Sequence, residues 1–299
     1  MNALILINPK AAGGRAQKLF PLIQDHLNAH PGPVKHIQIE MPESIDAGLH
    51  LLAETKPNTR VVIVGGDGTL NQMLPGLMYS AFEIGLVPYG SGNDCARAWG
   101  LHGMMWQEAL QFALSGKAQA IDLGQVELAA GQTHFFHSSL AVGFDASVGN
   151  RALAGPKFLR GLPRYLLATF RELAHLRNWD MRISVDGVTA HQGTTLLGST
   201  LNTPSYGGGM PAVPHALIDD GKLNLLMGGQ FNRFQTLLML PRLLMGLHLS
   251  HSRIKTEAFL RAEINSSQAL PIAADGESLG FANQITIEVL PSALTVIRR

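Results

Sequence analysis

The chain has a single cysteine, Cys95, in 299 residues, which excludes an internal disulfide framework. One thiol fits a reducing compartment, so a cytoplasmic location is expected. Charge of one sign is missing as well: 23 Lys and Arg oppose 22 Asp and Glu, a formal net charge of +1. Nucleic-acid binders exploit a bulk basic field, and none is present, so no nucleic-acid partner is expected. No stretch approaches the roughly 18 uninterrupted apolar residues of a spanning helix. The N-terminal run Ala3-Leu4-Ile5-Leu6-Ile7 lacks a basic leader, is too short for a signal peptide, and reads as a first strand. A soluble protein, peripheral to a membrane at most, is the expectation. Several catalytic signatures are also absent. There is no GxxxxGK[ST] loop, no GxSxG elbow around any serine, and no HExxH or CxxC. His134 and His137, three apart in a strand-like run, point to opposite faces, which argues against zinc. Neither a repeat of about 20 to 50 residues nor a low-complexity segment is found.

What remains is a clear change of pattern along the chain. Residues 1–125 alternate apolar strands with helical periodicity: strands over 4–7, 35–39, 61–64 and 83–87, helices over 15–29, 45–55 and 70–77. That alternation predicts βαβ units on a parallel sheet, with ligands at the carboxyl ends of the strands. Residues 126–299 read as shorter strands over 135–142, 179–185, 194–200, 222–227, 253–260 and 284–289, with helices over 157–176 and 231–247. The expected fold class is therefore α/β plus β: a three-layer α/β nucleotide-binding domain, then an antiparallel, sandwich-like β-rich domain whose last strand is free to return to the first. An active site is expected in the cleft between them.

Two glycine-rich turns follow apolar strands in the first domain. Val61-Val62-Ile63-Val64 breaks into Gly65-Gly66-Asp67-Gly68-Thr69-Leu70-Asn71, a turn with few Cβ atoms to hold a ligand's phosphates away from backbone amides. It meets the dinucleotide fingerprint only in part, since Asn71 stands where the third glycine belongs. Pro88-Tyr89-Gly90-Ser91-Gly92-Asn93-Asp94 follows the next strand. A third strand end, Asn8-Pro9-Lys10-Ala11-Ala12-Gly13-Gly14-Arg15, offers amides and the cations Lys10 and Arg15 to phosphate. Neighbouring βα units would bring Asp67 and Asp94 to one sheet edge, where two carboxylates beside an anionic ligand call for a cation such as Mg²⁺. Asp94 fits equally a helix N-cap ahead of Cys95, an explanation that does not extend to Asp67.

Together these motifs resemble the diacylglycerol kinase catalytic domain family, which includes bacterial diacylglycerol, YegS-like and sphingosine lipid kinases. The likeness continues through Ile121-Asp122-Leu123-Gly124, Gly143-Phe144-Asp145-Ala146, Asn202 with Gly207-Gly208-Gly209, Asp220-Gly221-Lys222-Leu223 and Ala274-Asp275-Gly276-Glu277, in family order. It implies an ATP- and Mg²⁺-dependent lipid kinase that phosphorylates a hydroxyl of a diacylglycerol-like or sphingoid lipid. Nucleotide contacts are implied for Asn8, Pro9, Lys10, Gly13, Gly14, Gly65, Gly66, Asp67, Gly68, Thr69, Asn71, Ser91, Gly92 and Asn93. Glu277 is the implied base for the acceptor hydroxyl and Asp67 the main magnesium-organising carboxylate, supported by Asp94 and Asp122. Asp220, with the carbonyls of Leu217 and Lys222, resembles a structural magnesium loop; a plain hairpin turn fits the same residues. Met41 departs from the family, standing where many relatives carry Thr near the nucleotide, and it cannot donate that hydrogen bond.

Two segments bear on how a lipid is reached. Lys157, Arg160, Arg164, Arg171 and Arg177 are spread among Phe158, Leu159, Leu162, Tyr165, Leu166, Leu167 and Phe170, and residues 231–249 are rich in Leu and Met. Such stripes fit either a core or a peripheral membrane contact. A homodimer stays open. GGDGT-type loops also occur in NAD kinases and in sugar kinases of the phosphofructokinase type, against which the late Asp-Gly-Glu argues. A regulator that binds ATP without turnover would need no Glu277.

Overall fold

The computed structural model describes residues 2–299 with Ala130, Lys157, Phe158 and Arg160 excepted. It comprises two compact units, Met1–Ile121 with Ser292–Arg299, and Asp122–Pro291.

The first unit runs β1 (Asn2–Ile7), α1 (Ala11–Gly14), a 3₁₀ turn (Arg15–Lys18), α2 (Leu19–Ala29), β2 (His36–Glu40), α3 (Ile45–Glu54), β3 (Arg60–Gly65), α4 (Asp67–Leu77), β4 (Glu83–Pro88), α5 (Asp94–Ala98), α6 (Trp106–Ser115) and the start of β5 (Ala118–Leu128). β1 and β3 are continuous apolar runs because helices cover both faces of a parallel sheet; all six residues of β3 are buried. The strand order is β2-β1-β3-β4, all parallel, and the chain's last strand adds beside β4 with Val296 opposite Ile84. Ile7 lies opposite Val64 and Gly65 opposite Pro88, so three strands end in step. The loops that follow them leave from one edge. Ile5, Ile7, Val62, Val64 and Val87 pack against Leu19 and Ile23 of α2 and Leu110 of α6 beneath that edge.

The second unit continues with the rest of β5, then β6 (Gln132–Phe136), β7 (Ser139–Val142), α7 (Phe144–Leu153), α8 (Leu162–Leu173), β8 (Trp179–Val185), β9 (Val188–Leu201), β10 (Leu223–Gly229), α9 (Arg233–Leu244), β11 (Ile254–Phe259), β12 (Arg261–Ala274) and β13 (Glu277–Ile297, to Pro291 in this unit). Its pairings are antiparallel, in the order β11-β10-β9-β7-β12-β13, with β8 pairing β9 and β12 and β5 pairing β6. Alternate residues of β8 are buried, the period of a half-covered strand. Leu140, Val142, Ile183, Ile264, Ile272 and Ile287 form its core with Phe144 of α7 and Ala168 of α8.

Several elements differ from the sequence expectation. The strand expected over 135–142 is two strands, since the amides at the break, His137 and Ser138, donate to a side chain rather than to a neighbouring strand. α4 begins at Asp67 rather than Leu70, so the acidic residue sits in its first turn. The helix expected over 157–176 is Leu162–Leu173, and Lys157, Phe158 and Arg160 lie outside the described residues. β12 went unread because its polar Asn265-Ser266-Ser267-Gln268 run breaks the alternation, where the register with β13 shifts. α7 was also unread.

Candidate active site

The two glycine turns of the first unit touch each other. A Cβ on Gly66 would stand 2.7 Å from the Cα of Gly90, and one on Gly90 would stand 2.6 Å from the Cα of Gly66. No side chain fits at either position, and Tyr89 N donates to the Gly65 carbonyl (2.7 Å) to seal the contact. The result is a ridge of bare backbone. Asn93 closes the second turn: its Oδ1 accepts from Gly90 N (3.0 Å) and its Nδ2 donates to the Gly90 carbonyl (3.2 Å). Asn8 ties the third strand end to the ridge, its Nδ2 donating to Thr69 Oγ1 (2.8 Å) and its Oδ1 accepting from Lys10 N (2.9 Å). Beyond it Ala12, Gly13 and Gly14 hold φ of 53°, 69° and 86°, left-handed backbone that favours glycine, and Gly13 has open space where a Cβ would be. Arg15 Nε donates to the Ala12 carbonyl (3.1 Å), so this cation stays at the loop, and Lys10 is exposed beside it.

Asp67 reaches from the first turn of α4 to the start of α5. Its Oδ2 accepts from Asp94 N and its Oδ1 from Cys95 N, each at 3.0 Å. Capping was the alternative reading of Asp94 and was not offered for Asp67; in the structure it is Asp67 that accepts the α5 amides, because a carboxylate on the neighbouring βα unit can reach them while Asn93, the residue before the helix, is left-handed and makes no side-chain cap. Asp94 is buried, 3.8 Å from Arg97, and a Cβ on Gly92 would lie 3.1 Å from Asp67 Oδ2 and 3.8 Å from Asp94 Oδ2. The two carboxylates converge over a glycine. Gly68 and Asn71 lie in the first turns of α4, half-buried, and Ser91 is exposed at the second turn. Pro9 ends β1.

In the second unit, Glu277 opens β13 directly after the Asp275-Gly276 turn, opposite Ala274 of β12. Glu277 is exposed, whereas the Asp275 side chain is fully buried. Asp275 Oδ2 accepts from His137 N (2.9 Å), and its Oδ1 accepts from Ser138 N (2.9 Å) and Ser139 N (3.0 Å); His137 Nε2 lies 3.3 Å from Oδ2. Asp275 fixes the hairpin and thereby the position of Glu277. From the His137 carbonyl the network continues through Asn202 Nδ2, which also donates to the Asp122 carbonyl (3.0 and 2.8 Å). Asp122 Oδ2 accepts from Gly221 N (2.7 Å), Asp122 N donates to the Ile218 carbonyl (2.7 Å), and Asp220 Oδ1 accepts from Lys222 N (3.1 Å). The structure thus brings Asp122 to the loop of Leu217, Asp220 and Lys222. His137, set aside in the sequence, and Asp275 were missed because they meet across 138 positions, which no local spacing signals.

Asp145, in the first turn of α7, accepts from Ser199 Oγ (2.6 Å) and Ala146 N (3.0 Å), and burial pushes its carboxyl up to about 7 against these hydrogen bonds. Tyr206, beside it, is held well above its usual range by burial and then by Asp145.

A family model of the diacylglycerol kinase catalytic domain matches residues 2–126, and one of the YegS C-terminal NAD kinase β-sandwich-like domain matches residues 138–298. A diacylglycerol kinase of Mycobacterium tuberculosis is 30% identical over 273 residues, covering 89% of this chain and 87% of that protein. The chain belongs to the diacylglycerol kinase family of lipid kinases. A second family relative, the diacylglycerol kinase of Bacillus subtilis, is 28% identical over 223 residues, 74% of this chain and 72% of that protein. In fold the chain is similar to a diacylglycerol kinase from Bacillus anthracis (TM-score 0.72, 17% identity, 100% of this chain and 97% of that one). It is also similar to an NAD kinase from Archaeoglobus fulgidus in complex with ATP (TM-score 0.56, 14% identity, 100% and 94%). Membership accounts for both units, the parallel α/β part and the antiparallel β part. Met41 lies just after β2 and is 36% exposed. Among the described residues no helix is long and apolar enough to cross a membrane.

Proposed function

We propose that this kinase transfers the γ-phosphoryl group of ATP to a hydroxyl of a diacylglycerol-like or sphingoid lipid at a membrane surface. The convergence of Asp67 and Asp94 over Gly92, on a ridge where Gly66 and Gly90 exclude side chains, carries the reading. Among the described residues no three acidic, His or Cys groups gather as a metal cage. Two carboxylates suit Mg²⁺ in its usual nucleotide role, in which it takes one or two carboxylates and fills its remaining positions with phosphate and water. When bound there it neutralises charge on the β- and γ-phosphates. Bare backbone from Gly65 to Gly68 and from Gly90 to Gly92 lets the triphosphate approach, with Lys10 and Arg15 as cations near the Gly13-Gly14 turn. Glu277, exposed at a hairpin locked by Asp275, takes the acceptor's proton as the oxygen attacks. Phosphoryl transfer asks mainly for positioning and charge neutralisation, so one correctly held carboxylate is sufficient base.

The second unit's loop of Asp122, Leu217, Asp220 and Lys222 offers carboxylate and carbonyl oxygens to a further divalent ion of structural role. NAD is the competing acceptor, since an NAD kinase shares the fold. Incubation with γ-labelled ATP, Mg²⁺ and a panel of diacylglycerols, sphingoid bases, NAD and sugar phosphates decides the acceptor. Label is expected in a lipid. Label in NAD or a sugar phosphate, or ATP binding with no transfer to any acceptor, would refute the lipid assignment.

A further inference from the structure

Helix α9 is apolar on the side it should keep polar. It is anchored by Thr236, Met239 and Leu243, which turn toward the second unit's core, and fixed at its ends. Asn232 and Gln235 form a reciprocal cap, and at the other end Leu247 N donates to the Arg242 carbonyl (2.7 Å) and His248 Nε2 meets the Ala212 carbonyl (2.8 Å). At about 100° per residue, Phe234, Leu238, Pro241 and Met245 lie about 140–200° around the axis from Thr236. They form the face opposite the anchor. Phe234 is 68% exposed, Leu238 57% and Met245 62%, and Leu237, Leu244 and Leu247 beside them are exposed as well. A surface helix with one buried stripe normally carries polar residues on its outer face. This one does not.

The segment that carries this face has charge of one sign. From Gly221 to Thr256 the sequence contains no Asp or Glu, while it carries Lys222, Arg233, Arg242, Arg253 and Lys255. Arg253 stands against the first turn of α9, its Nη1 donating to the Gln230 carbonyl (3.0 Å) and to Gln235 Oε1 (3.1 Å). Arg233 and Arg242 lie on the helix itself, both exposed. An exposed apolar face on a helix that carries arginines and no carboxylate of its own matches the chemistry of an anionic bilayer: acyl chains for Phe234, Leu238 and Met245, lipid phosphates for the arginines.

We infer that the outer face of α9 is the surface by which this protein docks on anionic membranes, with Phe234, Leu238 and Met245 entering the interface and Arg233, Arg242 and Arg253 meeting headgroups. The inference rests on the lipid-kinase reading only for its purpose, and its binding test does not require turnover. Sedimentation of the full chain with vesicles of phosphatidylcholine alone, or containing phosphatidylglycerol, measures docking. Wild type is expected to bind the phosphatidylglycerol vesicles at least tenfold more strongly, with an affinity that falls as salt rises. The double variant Phe234→Asp/Leu238→Asp is expected to lose that binding at least tenfold, while phosphorylating a short-chain, water-soluble diacylglycerol at the wild-type rate. Because both side chains point outward, its melting temperature should be unchanged. Arg233→Glu/Arg242→Glu, which keeps the apolar face, should abolish the preference for phosphatidylglycerol. Unaltered vesicle binding by both variants would overturn the docking surface, as would a wild-type dimer in analytical ultracentrifugation that Phe234→Asp/Leu238→Asp converts to monomer, since the face would then cover a second copy. Short-chain activity absent from wild type would instead count against the kinase reading, with vesicle binding still deciding the surface.

Discussion

Asp67 and Asp275 are written alike, an aspartate before a glycine, and are used in opposite ways. Asp67 accepts two backbone amides at a helix start, is half-buried, and shares the space over Gly92 with Asp94. Asp275 accepts three amides and faces His137, with its side chain sealed from solvent. Hydrogen bonding from amides stabilises a carboxylate in both places. Only Asp67 is partly exposed to solvent. The buried one serves by fixing the next residue but one, Glu277. The lesson is that an Asp-Gly pair carries no chemistry by itself: burial and the number of amides it satisfies decide between a ligand-facing and a structural carboxylate.

The comparison breaks most sharply if the two residues prove interchangeable under mutation. Removing the charge of Asp67 should cost the largest factor, about 10³ in turnover, or about 4 kcal/mol of transition-state stabilisation. Asp67→Asn retains an oxygen for one α5 amide and leaves the other without an acceptor, so it should be destabilised less than Asp67→Ala and yet be nearly as inactive. Turnover and thermal melting, measured side by side on the two variants, check this. At Asp275 the order should invert. Asp275→Ala leaves three buried amides without their acceptor, and at about 1–3 kcal/mol for each such group the protein should lose about 3 kcal/mol or more in urea denaturation. A variant as stable as wild type would show that the clamp is dispensable.

A third carboxylate extends the contrast to pH. Burial pushes the Asp145 carboxyl up from 3.8 to about 7, against the hydrogen bonds it accepts from Ser199 and nearby amides. Between those values the folded protein holds a proton that the unfolded chain has released. Stability should therefore fall as pH rises through this window, by about 1.4 kcal/mol per pH unit from this group. Asp145→Asn removes that contribution, so its denaturation midpoint should decline less between pH 4 and 7 than that of wild type. Parallel slopes would contradict the assignment of Asp145 as the buried acid.

The parallel sheet was legible because strands covered on both faces leave nearly uninterrupted Val, Ile and Leu; 61–64 became Arg60–Gly65 and 83–87 became Glu83–Pro88. β8 was read without error from its strict alternation. β12 was not, since a polar run at a register shift looks like a loop. The glycine turns announced a ligand edge, but not that Gly66 and Gly90 need each other, a contact between different βα units. The same limit hid the Asp67 cap, the His137–Asp275 pair and the join of Asp122 to Gly221, all made between residues far apart in the chain. Helix α9 was recognised as apolar at helical spacing, yet spacing alone does not say that only one of its faces is covered.

We propose a division of labour: the first unit's glycine ridge and Asp67 hold the nucleotide, and Glu277 of the second acts only on the acceptor. Calorimetric titration of Mg-ATP into wild type and Glu277→Ala, with turnover measured on the same samples, tests it most directly. Equal Mg-ATP affinity and a fall in turnover of about 10²–10⁴ are expected for Glu277→Ala. A variant that phosphorylates lipid at the wild-type rate, or one that has lost its affinity for Mg-ATP, would contradict it.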